Sequence, residues 1–175
     1  MQILKIPSAR VPAVLGESGE TKDYLEQRMK VTLNVDSDGS VEIGGESIDE
    51  FIAKDVIKAI GRGFEPAIAL KLLSDDFGFK LIDLRDYADS PKAQHRILGR
   101  IIGEKGRTKE IINEEIGAYL AIHGHTVGII SKLDTLDYAL TAVFKLIEGA
   151  NHATVYAYLE KCRRKMNEEE VKRLF

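Results

Sequence analysis

Ile101-Ile102-Gly103-Glu104-Lys105-Gly106-Arg107 decides the fold, because a version of it stands earlier as Val14-Leu15-Gly16-Glu17-Ser18-Gly19-Glu20. Each is a Gly-x-x-Gly turn entered from an apolar run and left into a charged helical pattern. The correspondence continues at a constant offset. Gly19-Glu20-Thr21-Lys22-Asp23-Tyr24-Leu25 aligns with Gly106-Arg107-Thr108-Lys109-Glu110-Ile111-Ile112, and Met29, Val31, Leu33 and Val35 align with Ile116, Ala118, Leu120 and Ile122. One such loop is a weak signal. Two, each between the same kinds of elements, make a tandem of nucleic-acid-binding units the leading reading.

Outward from the loops, one order repeats. Ile3 to Ile6 reads as a short strand closed by Pro7, and Val11 to Leu15 as a short helix with Pro12 in its first turn. Glu20 to Met29 is helical in pattern. Val31, Leu33 and Val35, then Val41 and Ile43, alternate as half-buried strands around the turn Asp36-Ser37-Asp38-Gly39. Ser47-Ile48-Asp49-Glu50 fits a capping box and opens a helix with Ile48, Phe51, Ile52, Val56, Ala59 and Ile60 on its inner face. After a connector with a short helix from Pro66 to Leu73, a strand from Phe79 to Leu84 starts the second copy. Helices follow from Pro91 to Ile101 and from Arg107 to Ile116. Strands follow around Ala118–Ile122 and at Val127 and Ile129. A helix behind Ser131-Lys132-Leu133-Asp134, a second capping box, buries Leu133, Leu136, Leu140, Val143, Phe144 and Ile147. A further helix runs from Ala153 to about Met166, and Asn167 to Phe175 is expected to fray. The expected domains are residues 1–64 and 79–150, joined by the connector 65–78 and followed by the helical extension 151–175.

The composition narrows the function classes. Of 175 residues, 44 % are hydrophobic, enough for a real core, yet no apolar stretch is long enough to cross a bilayer. Met1-Gln2-Ile3-Leu4-Lys5-Ile6 has no cationic leader, so no targeting signal is expected. The single cysteine, Cys162, excludes an internal disulfide and suits a reducing cytoplasm. In a helix it reads as a packing residue. The net charge of −3 hides an asymmetry. Residues 1–77 hold nine Lys/Arg against 14 Asp/Glu, a net of −5, whereas residues 78–175 are at +2. Between Lys92 and Lys109 stand six basic residues and one acid, Glu104. This local charge surrounds the second loop, and local charge sets affinity for a phosphate backbone.

The chemistry follows from the turn. Glycines let backbone approach a ligand, and the unpaired N–H groups that start the next helix, with its dipole, favour an anion such as a phosphodiester. In the second copy the candidate residues are Ile102, Gly103, Glu104, Lys105, Gly106, Arg107, Lys109, Arg100, Ile112 and Ile122. The lysines and arginines supply charge for phosphates. The isoleucines support unpaired bases, which suits single-stranded RNA. The first loop, Gly16, Glu17, Ser18 and Gly19, is a possible second site, but Glu17 and Glu20 repel phosphate and only Arg10 and Lys22 offset them. That leaves the acidic first domain to serve instead as a protein-contact surface.

Other signals are weaker. His123 and His125 flank a turn glycine with no third ligand close in sequence, so no metal is expected. Lys161, Arg163, Arg164 and Lys165 fit both an RNA track and an exposed terminal helix. No phosphate loop of the nucleotide-hydrolase kind, nucleophile elbow or convergent acid-base cluster appears, so neither an enzyme nor a cofactor is expected.

Ile102-Gly103-Glu104-Lys105-Gly106, followed by its helix and two strands, resembles the type I KH RNA-binding domain of order β-α-α-β-β-α. The tandem, Gly61-Arg62-Gly63-Phe64-Glu65-Pro66-Ala67 and Ala121-Ile122-His123-Gly124-His125-Thr126-Val127 are similar to the archaeal two-KH ribosome-assembly proteins, counterparts of the eukaryotic partner of Nob. The resemblance implies an α+β fold of two KH domains, each a three-stranded antiparallel sheet packed on helices, plus a C-terminal helix. It implies a non-catalytic role at small-subunit ribosomal RNA near its 3′ end. The implied partners are that RNA, the endonuclease that matures the end, and the alpha subunit of translation initiation factor two.

Overall fold

The structure, a computed structural model, describes all residues 1–175. The order is β1 (Gln2–Lys5), α1 (Val11–Leu15), α2 (Glu20–Met29), β2 (Thr32–Val35), β3 (Ser40–Gly44), α3 (Ser47–Gly61) and α4 (Pro66–Ala69). Then come β4 (Phe77–Asp83), α5 (Pro91–Ile102), α6 (Arg107–Ile116), β5 (Tyr119–His123), β6 (Thr126–Lys132), α7 (Leu133–Glu148) and α8 (His152–Leu174). Each half therefore runs β-α-α-β-β-α. The two three-stranded antiparallel sheets have the orders β1-β3-β2 and β4-β6-β5, so the second and fifth strands are edges.

The sheets differ in what covers them. In the first, Leu33, Val41 and Ile43 turn inward onto α3, while Ile3, Thr32 and Asn34 face water. The second is covered on both faces. Leu120, Val127 and Ile129 pack with α5, α6 and α7, whereas Ala121 and Ile130 belong to the first half's core. Strand alternation thus sends successive residues into two different cores. Phe64, a residue of the first core, seats that core on the second sheet. It is 2 % exposed and meets Phe79 edge to face at 6.0 Å. Its ring leaves no space above Gly128, where a Cβ would stand 2.7 Å from Cε2.

Several sequence expectations need correction. The strand expected at Phe79 begins at Phe77. Ile48 and Phe51 are each 65 % exposed, and the buried stripe of α3 is Glu50, Ala53, Val56, Ile57, Ala59 and Ile60. The paired Ile122 and Val127 are separated by one residue fewer than the equivalent pair Val35 and Val41, so Leu33 corresponds to Leu120 but Ile57 to Val143. Neither serine of the expected capping boxes caps a helix. Glu46 and Lys132 occupy those positions without a side-chain bond. Glu50 Oε1 accepts from Gly45 N at 2.9 Å instead, and Ser131 bonds Thr135 inside the core at 2.6 Å. Leu133, expected inside, is 57 % exposed. The C-terminal segment, expected to fray, is helical, because α8 runs to Leu174. Its Glu168, Glu169, Lys172 and Arg173 stand at spacings that support a helix. No helix is long and apolar enough to cross a membrane.

Candidate nucleic-acid interface

The two loops share one backbone. Gly103 has φ 77° and ψ 171°, Lys105 φ 54° and ψ 30°, and Gly106 φ 76° and ψ 13°. Gly16, Ser18 and Gly19 repeat these at 71° and −178°, 55° and 24°, and 79° and 8°. The two glycines of a loop serve different ends. Gly103 lies in a region open only to glycine, and a Cβ there would run into the Thr108 hydroxyl and stand 2.7 Å from its backbone nitrogen. Gly106 is left-handed, with nothing within 4 Å of the place a Cβ would take. Its missing side chain leaves open room in front of the helix. No side chain caps α6 there, and the Arg107 N–H donates to the Glu104 carbonyl, so the positive end of the helix dipole is what favours an anion in front of it.

Behind the loop, α8 fixes its position. Thr108, 1 % exposed, bonds Tyr156 OH at 2.8 Å, and His152 Nε2 lies 2.9 Å from the Arg100 carbonyl. Val155, Leu159 and Cys162 are buried beneath. The first half has no such helix.

The expected site residues separate into groups. Lys105 is exposed and free of any carboxylate partner at ion-pair distance, as is Lys109. Lys105 lies with Glu104, Arg107, Tyr156 and His152 on a cleft of about 630 Å³ beside the loop. Lys109 and Gly106 lie on a groove of about 220 Å³ between α6 and the edge strand β5. Arg107 is committed to its own helix, 3.1 Å from Glu110 and 3.6 Å from Glu114, and the Glu110 carboxylate raises its pKa further. Arg100 donates to the Ala150 carbonyl at the junction of α7 and α8, away from the groove. Ile112 is fully buried in the second core and does not line the groove, while Ile102 is half-buried. Ile122 sits where the first half meets β5, and a Cβ on Gly63 would be 3.1 Å from its carbonyl.

The sequence reading missed Ile68, Asn113 and Tyr119, which complete the groove. Ile68 comes from the connector, a contact no local pattern reveals. Asn113 stands one turn beyond Lys109 on α6 and donates to the Ala118 carbonyl at 3.2 Å.

The first loop has the shape without the charge. Glu17 and Glu20 are exposed at its mouth. Arg10 and Lys22 do not offset them. Arg10 donates to the carbonyls of Ile60 and Phe64 at 2.9 and 3.0 Å, and Lys22 pairs with Glu26 at 2.8 Å. His123 and His125 do not gather a metal set, since no group of three potential ligands converges anywhere. His125 Nε2 instead lies 3.6 Å from Asp83, whose carboxyl is held down to about 2 chiefly by Arg85.

The family model described as eukaryotic-type KH domain (KH-domain type I) matches residues 78–164. A KH domain-containing protein of Methanocaldococcus jannaschii is 39 % identical over 171 residues, which is 95 % of this chain and 75 % of that protein. Dim2p from Pyrococcus horikoshii OT3 has a solved structure with TM-score 0.83 and 38 % identity, covering 91 % of this chain and 98 % of the other. A solved complex of a/eIF2alpha, aDim2p and rRNA from the same organism matches with TM-score 0.86 and 38 % identity over 94 % of both chains. The pre-rRNA-processing protein pno1 of Aspergillus fumigatus is 32 % identical over 118 residues, 66 % of this chain and 47 % of that protein. The chain thus spans about half the length of such eukaryotic relatives.

Proposed function

The chain belongs to the Pno1/Dim2 family of KH-domain proteins, in the branch represented by Dim2p of Pyrococcus horikoshii, and from that premise we propose that it binds single-stranded ribosomal RNA of the small subunit near the 3′ end through its second KH domain. The observation that carries the reading is the contrast between two loops of one backbone. Both present an open glycine before an uncapped helix, but the second adds the unpaired Lys105 beside Glu104, whereas the first adds only the carboxylates Glu17 and Glu20. The Gly103–Gly106 backbone clamps the strand, Lys105 and Lys109 meet phosphates, and bases lie in the groove between α6 and β5. The role is that of a binding protein in ribosome assembly and not of a catalyst, in keeping with relatives named for pre-rRNA processing.

The acidic first domain is left for protein contacts. The alpha subunit of initiation factor two is the first partner to test, because a relative was solved with it and with rRNA. The endonuclease that matures the RNA end is the second. Salt dependence separates RNA binding from a purely apolar protein interface. Two lysines on phosphates give log K against log salt a slope of about −1.4 for a single strand. A slope near zero, or no binding to single-stranded RNA, rejects the reading in favour of a protein-interaction scaffold.

A further inference from the structure

The acidic half of the chain carries a cationic pocket that its net charge conceals. Lys5, Lys54, Lys58 and Arg62 line it with the backbone of Leu4 to Pro7, around about 190 Å³. These are four of the nine basic residues in residues 1–77. Lys54, Lys58 and Arg62 recur at one-turn spacing along α3 and so share a face. None of the three has a carboxylate at ion-pair distance, and the one ion pair at the pocket is Lys5 with Asp38 at 3.6 Å. Bringing four cations together with only Lys5 paired is unfavourable unless an anion joins them.

The pocket adjoins the second domain. Arg62 is one residue before Gly63, which lies against the Ile122 carbonyl. Burial, and after it the charges of Arg10 and Arg62, hold the His123 pKa at the tip of β5 below its ordinary value, in keeping with the backbone contact one residue beyond Arg62. A strand leaving the groove past that tip meets Arg62 first and then the lysines. Lysines suit phosphates as point charges without reading bases. The pocket also lacks the aromatic anchors on which protein interfaces depend. The exposed Ile48 and Phe51 lie in the first turns of α3, whereas the cationic residues run to its other end.

We propose that this pocket on the first domain is a second, sequence-independent site for the backbone of single-stranded RNA, taking the phosphates of the strand that emerges from the second domain's groove. The first domain then touches RNA through β1 and α3, not through its Gly-x-x-Gly loop. The inference rests on the RNA-binding reading above. Its test uses the full chain and two single-stranded RNAs with the small-subunit 3′ sequence, one of about 4 nucleotides, enough for one KH groove, and one of about 16. The variant is Lys54→Gln, Lys58→Gln and Arg62→Gln together, all at positions with no side-chain hydrogen bond to lose. Anisotropy is read against salt.

For the native chain the long RNA gives a salt slope steeper than the short one by about 2, from three further phosphate contacts. In the variant the long RNA falls to the slope and affinity of the short one, and the short one is unchanged. Lys58→Arg alone keeps the native slope. A variant that binds the long RNA with the native slope overturns the proposal and leaves the pocket to an acidic protein segment. If the native chain ignores the short RNA but the variant still weakens the long one, the groove reading fails and the pocket stands.

Discussion

Alanine at the two glycines of each loop gives unequal and separable results. At Gly106 the cost is that of a left-handed alanine in open space, about 1–2 kcal/mol. At Gly103 the backbone region is closed to alanine, and the methyl overlaps Thr108, a buried residue tied to Tyr156. Strain of about 1–3 kcal/mol then adds to an overpacking cost of about 1–3 kcal/mol, for a total near 4 kcal/mol. For a chain of this length these correspond to falls in Tm of about 5 °C and about 12 °C. The first loop supplies the control, because Gly19 is as open as Gly106 and Gly16 as crowded as Gly103. Thermal melts by circular dichroism therefore place Gly19→Ala with Gly106→Ala and Gly16→Ala with Gly103→Ala. RNA binding divides them differently. Gly106→Ala stays folded yet sets a methyl where phosphate must approach, so it loses binding, whereas Gly19→Ala keeps it. Equal melting losses at Gly103 and Gly106 refute the geometric account of the loop. Native-like RNA binding by Gly106→Ala refutes the clamp.

Three further perturbations test other parts of the structure. Phe64→Ala removes the ring by which the first core packs on the second sheet and costs about 3–5 kcal/mol; urea melts followed at probes in each half then separate into two transitions, and a single native-like transition contradicts the coupling. Asp83 has a depressed folded pKa of about 2, so the stability it contributes is complete above its unfolded value near 3.9 and is lost as pH falls toward 2. Asp83→Asn should therefore flatten the acid limb of a stability–pH curve in that window and lower stability slightly at neutral pH. His123 has a depressed pKa in the folded state, so protonating it opposes folding and stability falls as pH drops below about 6.5. Arg62→Gln should raise its NMR titration midpoint, and an unchanged midpoint means the two groups are too far apart to interact.

The tandem arrangement was legible because a repeated Gly-x-x-Gly turn fixes both neighbouring helices, and the bounds of α2 and α6 follow directly from it. The inner face of α3 was legible only in its second half, where Val56, Ala59 and Ile60 are buried as expected. In its first turns the small Ala53 and the acid Glu50 occupy the buried positions while the large Ile48 and Phe51 are exposed, so a search for big apolar residues misplaces the stripe there. The double burial of the second sheet was hidden for a different reason. Ala121 and Ile130 pack on residues from the other half, and only the unbroken apolar run in β6 hinted at it. At the interface the loop and its lysines could be read locally. The commitments of Arg107 and Arg100 could not, since one depends on side-chain rotamers along α6 and the other on a carbonyl fifty residues away. Ile68 reaches the groove only because the connector runs beside β5.

The central claim is that one loop of the pair holds RNA. The direct measurement is fluorescence anisotropy of a single-stranded RNA with the small-subunit 3′ sequence. It compares the native chain, the Glu104→Asp plus Lys105→Asp variant, and the Glu17→Asp plus Ser18→Asp variant. Lys105 and Ser18 are both left-handed, a conformation that aspartate tolerates, so both variants keep the fold, as circular dichroism should verify. The account predicts that the second-loop variant abolishes binding and the first-loop variant binds as the native chain does. Binding that survives the second-loop change, or is lost with the first, contradicts it.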